Sequence, residues 1–315
     1  MSTTKSAVII EQLTKSFNGK IAVDHNSYQI EEGKIFGLLG PNGAGKTTTI
    51  RILAGILKPT SGDAEIYGYS LNRDIMAVRS MVGILPENRS LYDRLTAQEN
   101  IEFYGKLYGL DGADLKNRME ELLKFLELSH VKEEYIGRFS MGMKQKVALA
   151  RALVHQPKLL LLDEPTSNLD PAMTLKLKEY IKKLSRNLKT TVLISSHHLA
   201  EIENMCSKIA VINKGKIVSV GEIQELKKKL WGLKEFEVKL LEVPADIKKI
   251  IESINGLSDV RYSKNRIFYR CENPETLNPV VVKRLVEADA KILSLSETEK
   301  TLEDLYMKLI GGEAQ

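Results

Sequence analysis

Cysteine is nearly absent from this chain: two residues in 315, Cys206 and Cys271, far apart and in no metal-ligand spacing. That excludes a disulfide framework and a zinc site, and makes a reducing cytosol the natural setting. No stretch approaches the roughly 18 consecutive apolar residues that would cross a bilayer. The start, Met1-Ser2-Thr3-Thr4-Lys5, lacks the apolar core of a signal peptide and leads straight into a strand-like run. A strong charge excess is missing too. The net charge is +5, and the runs Lys182-Lys183 and Lys227-Lys228-Lys229 alternate with apolar residues at helical spacing. They read as solvated helix faces, so no nucleic-acid partner is expected, while contact with an acidic membrane or protein surface stays open. An apolar content of 43% and a charged content of 28% describe an ordinary soluble protein, long enough for two domains.

What is present is more specific. Gly40-Pro41-Asn42-Gly43-Ala44-Gly45-Lys46-Thr47 follows the apolar run Ile35–Leu39 and opens onto Thr48-Thr49-Ile50-Arg51-Ile52-Leu53-Ala54. Strand, glycine-rich loop and helix form the setting in which G-x-x-x-x-G-K-[ST] carries a mechanism. The glycines let successive N–H groups turn inward around an anion. The helix starting near Gly45 adds unpaired N–H groups and the positive end of its dipole. Lys46 would reach the β- and γ-phosphates, and the Thr47 hydroxyl would bind the accompanying magnesium. The same spacing arises by accident in about 1% of chains this long, and the flanking strand and helix lower that further. The loop reads as a nucleoside triphosphate site.

Along the chain, Val8-Ile9-Ile10 and Ile21–Ile30 read as strands around the turn Asn18-Gly19, with Phe17 just before the turn. Alone, Phe17 is as well explained by hairpin packing as by ligand contact. Asp63–Tyr67 and Met81–Leu85 are further strands, the second stopped by Pro86 and followed by Glu87. Thr96 with Glu99 is a capping box opening a helix over Ala97–Tyr108, and Asp111–Leu128 is amphipathic. Phe139-Ser140-Met141-Gly142-Met143-Lys144-Gln145 runs into an expected helix Val147–His155. Leu159-Leu160-Leu161-Leu162-Asp163-Glu164 is a buried parallel strand ending on two carboxylates, where open α/β sheets place their ligands. Asn168-Leu169-Asp170-Pro171 opens a helix to about Asn187, and the strand Thr191–Ile194 delivers Ser195-Ser196-His197.

Taken in this order, the features resemble the nucleotide-binding subunit of an ATP-binding cassette (ABC) transporter over roughly residues 7–230. The resemblance implies an α/β P-loop NTPase cassette over 1–230: a mixed sheet core with an antiparallel β subdomain and a helical signature subdomain. It implies that Phe17 stacks on adenine and that Gly40 to Thr47 is Walker A, with Thr48 reaching the α-phosphate. Asp163 would hold magnesium through water and Glu164 would orient the attacking water. His197 would contact the γ-phosphate and Asp170 would communicate between two cassettes. Ser140 and Gly142 match the signature, which in this family binds the γ-phosphate of a partner subunit's nucleotide. Two departures stand out. Glu87 replaces the usual Gln, a carboxylate that can still bind magnesium. The signature, usually Leu-Ser-Gly-Gly-Gln, keeps only Ser140 and its second glycine, Gly142. Both are similar to a branch of prokaryotic exporters with separate ATPase and permease chains.

Beyond Gly232 the pattern changes. Alternation at Phe236–Leu240, a helical stripe over Pro244–Ile254, strands at Val260–Tyr262 and Ile267–Tyr269, a helix Glu275–Ala288 and a strand Lys291–Leu295 suggest a ferredoxin-like α+β accessory domain over 231–315. A last helix, Leu302–Ile310, follows. The expected function is an ATPase that binds ATP and Mg2+, closes head to tail with a second copy, and powers export through a separate membrane permease. The chain would be cytoplasmic, peripheral on the inner face of the membrane. The permease would dock beside the Thr96–Leu128 helices, close to Glu87 and Arg89. The alternative is a soluble ABC ATPase with a non-transport or regulatory role. Glu87 and Ser140 lie too close in sequence for the long coiled coil of chromosome-organising members, and ribosome-acting members carry two cassettes where this chain has one.

Overall fold

Asn18 and Gly19 both take positive φ, the type I′ geometry that joins strands tightly. In the computed structural model, which describes residues 5–311 apart from 168, 232, 244, 245, 299 and 300, they close a hairpin of β1 (Ser6–Phe17) and β2 (Lys20–Glu31). Asn168, Gly232 and Pro244, each read from the sequence above, lie outside the described residues. There follow β3 (Ile35–Leu39), α1 (Lys46–Leu53), β4 (Ser61–Ile66), β5 (Tyr69–Ser70), α2 (Ile75–Met81) and β6 (Val82–Leu85). The helical region holds α3 (Ala97–Leu107), α4 (Gly112–Phe125) and α5 (Met141–Leu153). Then come β7 (Leu159–Asp163), α6 (Pro171–Leu188), β8 (Thr191–Ser196), α7 (Leu199–Met205), β9 (Lys208–Asn213), β10 (Lys216–Glu222) and α8 (Ile223–Trp231).

Two expectations change here. The helix expected from Val147 starts at Met141, because Ser140 caps it: its Oγ accepts the N–H of Met143 at 3.2 Å. Met81 ends α2 rather than beginning a strand. The Thr96–Glu99 capping box is present, with both reciprocal bonds made.

The first sheet is antiparallel, in the order β2-β1-β4-β5. The second, β10-β9-β3-β8-β7-β6, is parallel except for β10 at its edge. Helix α1 packs between them: Ile50, Ile52 and Leu53 share one core with Val8, Ile10 and Leu13 of the first sheet and with Leu161, Leu193 and Ile212 of the second. Each such fully buried aliphatic side chain contributes about 1.5–3 kcal/mol. Parallel register puts Leu39 beside Ser196, and Asp163 beside Ser195. The loops leaving β3, β7 and β8 therefore emerge side by side at one sheet edge.

By internal contacts the chain divides between Ile223 and Gln224, inside α8, whereas the sequence places the boundary after 230; of the described residues, Leu309, Ile310 and Gly311 group with the first unit. The second unit contains β11 (Lys234–Leu240), α9 (Ile247–Glu252), β12 (Leu257–Ser263), β13 (Arg266–Cys271), α10 (Pro274–Glu287), β14 (Ile292–Glu297) and most of α11 (Leu302–Gly311). Its antiparallel sheet runs β12-β13-β11-β14, the split βαβ arrangement of ferredoxin-like domains. Phe236, Val238, Ile267 and Tyr269 pack against Ile247, Ile251, Val281 and Leu285. The Tyr269 hydroxyl is satisfied by Asn278 Oδ1 at 2.7 Å.

Candidate functional site

The glycine loop is shaped by close approach. A Cβ on Gly40 would lie 2.3 Å from the Ile212 carbonyl oxygen, and one on Gly45 would lie 2.4 Å from that of Ala22. Gly45 also has φ 109, outside the range of a side chain-bearing residue. As N-cap of α1 it offers no side-chain acceptor, and no acidic residue stands in the first turn. The N–H groups of that turn are thus left to an anion. Pro41, Asn42 and Gly43 are exposed; Ala44 and Gly45 are buried; Thr47 and Thr48 are half-buried at the helix start.

Lys46, only 6% exposed, is held by two carbonyl acceptors and one nearby carboxylate. Its Nζ donates to the carbonyls of Gly40 at 2.8 Å and Pro41 at 3.2 Å, and stands 3.4 Å from Glu164 Oε1. Glu164 is equally buried, and neither of its oxygens meets hydrogen-bond geometry with a protein donor. Its nearest side-chain partners are Lys46, and His197, whose Nδ1 lies 2.9 Å from Oε1. The Glu164 backbone takes φ 48, a left-handed conformation that costs a non-glycine residue about 1–2 kcal/mol. Its N–H is held by the carbonyl of Ser195 at 3.1 Å, with Ser195 Oγ at 3.3 Å. The Ser195 hydroxyl also donates to Asp163 Oδ1 at 2.5 Å. Lys46, Asp163, Glu164 and His197 therefore meet at one edge of β3, β7 and β8. A cationic, N–H-rich cradle faces two buried carboxylates. Chemically, such a set can bind a polyphosphate, coordinate a divalent cation and activate a water.

Other residues singled out in the sequence lie apart from that cluster. Phe17, half exposed at the end of β1, has Lys15 Nζ over its ring at 5.1 Å. Ser140 is exposed at the start of α5, and a Cβ at Gly142 would meet nothing nearer than Leu169 at 3.9 Å. Asp170 caps α6, accepting the Met173 N–H at 2.9 Å. No hydrogen bond or ion pair joins Ser140 or Asp170 to the glycine loop among the described residues. Glu87 is exposed beyond β6.

Arg89, expected at a docking surface, is buried at 9% exposure. Its Nε donates to Gln145 Oε1 at 2.5 Å and its Nη2 to the Ser167 carbonyl at 3.3 Å. Burial lowers the pKa of its guanidinium below the ordinary value. The Gln145–Pro165 bond, the Ser195 bridge and a Thr166–Glu201 hydrogen bond belong to no local sequence motif. Only the Ser195 bridge had a signal: pairing of β7 with β8 places a serine opposite Asp163.

Comparison with known proteins fits this geometry. Residues 23–167 match the ABC transporter family, and residues 221–310 match the C-terminal domain of DrrA1-3-like ATP-binding proteins. A bacitracin transport ATP-binding protein of Bacillus licheniformis is 36% identical over 95% of this chain and 96% of its own length. A linearmycin resistance ATP-binding protein of Bacillus subtilis is 33% identical over 96% of this chain and 97% of its own. Among solved structures, a dimeric ATP-binding cassette in a post-hydrolysis state, bound to ADP and Pi, superposes with a TM-score of 0.65 at 27% identity, covering 69% of this chain and 98% of that one.

Proposed function

Since this chain belongs to the ATP-binding subunits of ABC transporters, ATPases whose hydrolysis is coupled to transport, we propose that it closes head to tail with a second copy around two ATP molecules and drives export through a separate membrane permease. The observation that carries the reading is the meeting of Lys46, Asp163, Glu164 and His197 at one sheet edge. Lys46 and the N–H groups at the start of α1 would take the β- and γ-phosphates, with Thr48 at the α-phosphate and Phe17 against the base. Lys46 would exchange its present acceptors, two carbonyls and one carboxylate, for phosphate oxygens. Glu164 would hold the attacking water and draw off its proton, and His197 beside it would contact the γ-phosphate. Thr47, Asp163 and, from the loop after β6, Glu87 are the residues that would hold magnesium, which when bound neutralises phosphate charge.

The second wall comes from a second copy. Gly142 sits in the first turn of α5, where glycine costs up to about 1 kcal/mol relative to alanine. Nothing in its own chain needs the missing side chain, since a Cβ there meets only ordinary contacts. A phosphate of the partner's nucleotide would supply the reason, with Ser140 capping the same helix. For the permease, no described helix is long and apolar enough to cross a membrane. The docking surface would use the exposed apolar residues of segment 92–107: Tyr92, Phe103 and Leu107, the last 65% exposed. Two relatives named for bacitracin transport and linearmycin resistance favour outward movement of an antibiotic-like cargo. The ferredoxin-like unit would serve contacts with the second copy or the permease, or regulation.

The deciding experiment is Glu164→Gln. Turnover should fall by about a hundredfold or more while ATP binding persists, and ATP should convert the 35.4 kDa chain to twice its mass. Normal turnover in this variant removes Glu164 from its role, and a chain that stays monomeric removes the two-copy site.

A further inference from the structure

The residue next to Glu164 begins a turn. The Ser167 N–H donates to the Glu164 carbonyl at 3.1 Å, and the Leu169 N–H donates to that of Thr166 at 3.2 Å. Glu164 itself stands in the left-handed region, a conformation that persists in a non-glycine residue only where the surroundings over-determine it. The outward carbonyls of the turn supply that constraint. Gln145 Nε2 donates to the Pro165 carbonyl at 2.6 Å, and Arg89 Nη2 to the Ser167 carbonyl at 3.3 Å. Arg89 Nε in turn donates to Gln145 Oε1 at 2.5 Å, so the two side chains form one unit gripping the turn at two points. Both are buried, and no carboxylate pairs with Arg89 among the described residues. A buried guanidinium with only neutral acceptors costs stability, so its retention calls for a positional reason.

The origins of the two side chains supply one. Arg89 belongs to the exposed loop that follows β6, and that loop is itself tied to α5, where Arg151 Nη1 donates to the Ser90 carbonyl at 2.9 Å. Gln145 lies on α5, whose first turn carries Ser140 and Gly142. We propose that Arg89 and Gln145 are positioning residues that fix the turn after Glu164, so that the placement of its carboxylate depends on where α5 and the loop after β6 sit. The inference rests on Glu164 being the hydrolytic carboxylate. A shift of α5 relative to β7 acts on the Pro165 and Ser167 carbonyls, and through them on the backbone that carries Glu164. Only a planar fork reaches both acceptors from one side chain, so lysine is no substitute for Arg89.

The test uses the full-length chain at saturating ATP and Mg2+, with ATP affinity measured separately by titration. Arg89→Lys keeps the charge and loses the fork. Gln145→Glu keeps an acceptor for Arg89 and loses the donor to Pro165. Each should lower kcat by about ten- to a hundredfold, the scale of a small misplacement of a reacting group. ATP affinity should stay within about twofold, and the double variant should fall no further than the worse single one, because both act through one turn. Wild-type kcat in both variants overturns the inference. So do losses that multiply in the double variant, or an affinity loss that parallels the loss of kcat. Glu164→Gln is run alongside. If it turns over normally, the Glu164 assignment falls and this inference with it. If it is inactive while Arg89→Lys and Gln145→Glu are normal, this inference alone falls.

Discussion

Lys46 contacts two loop carbonyls and one carboxylate, and the carbonyls of Ile212 and Ala22 wall the glycine loop from outside. Gly40 is the plainest test. Its alanine variant drives a methyl group into the Ile212 carbonyl at 2.3 Å, a backbone atom that cannot rotate away. Gly40→Ala should lose about 1–3 kcal/mol in urea unfolding, and ATP titration should show weakened binding because the cradle must open. The residues of this edge were legible in the sequence because each ends a strand or begins a helix within a spaced pattern. Arg89 and Gln145 were not. Their value comes from a chain folding so that two side chains 56 positions apart bring a buried fork to a buried amide, and no local pattern encodes that.

Among the elements, α5 makes the sharpest statement about function against stability. Gly142→Ala adds a good helix former where space is open, and should raise stability by up to about 1 kcal/mol. The same change should cut ATP hydrolysis while a single chain still binds ATP. Thermal melts and turnover assays should therefore move in opposite directions. Ser140→Ala should lower stability by about 1 kcal/mol through loss of the Met143 cap, and lower turnover as well. Elements that escaped the sequence reading have local causes. In β1 the alternation breaks because Gln12 takes φ 49 within a register shift, so only Val8–Ile10 looks like a strand where the strand spans twelve residues. Helix α2 is seven residues with only Val78 buried, too short for a stripe to show. The second unit was legible nearly element by element because β13 and most of β11 alternate and the buried residues of α9 and α10 recur one helical turn apart.

For the whole molecule, His155 sets a stability window. Its ring stacks on Tyr108 at 3.6 Å and its Nε2 lies 3.1 Å from the Val82 carbonyl. Burial lowers its pKa to about 4, against roughly 6.5 in an unfolded chain. Between those values the unfolded chain binds a proton that the folded one refuses, so stability rises with pH across the window and is lost as pH falls through it. The loss amounts to at most about 3 kcal/mol. His155→Gln should flatten the dependence of Tm on pH between about 4 and 6.5 relative to the parent chain, and equal slopes in the two proteins would show that the burial of this ring is not what the folded state feels.

The oxygen that meets Gly45 belongs to the main chain of Ala22, on the antiparallel sheet. Every amino acid carries that oxygen, so the residue at 22 can drift across relatives without loosening the cradle. The whole selective burden of the contact falls on position 45. A survey of variants would register invariance at one end of this contact and freedom at the other, and would miss that the two positions act together. Methods that infer proximity from paired changes are blind to it, although it is what joins the first sheet to the phosphate loop.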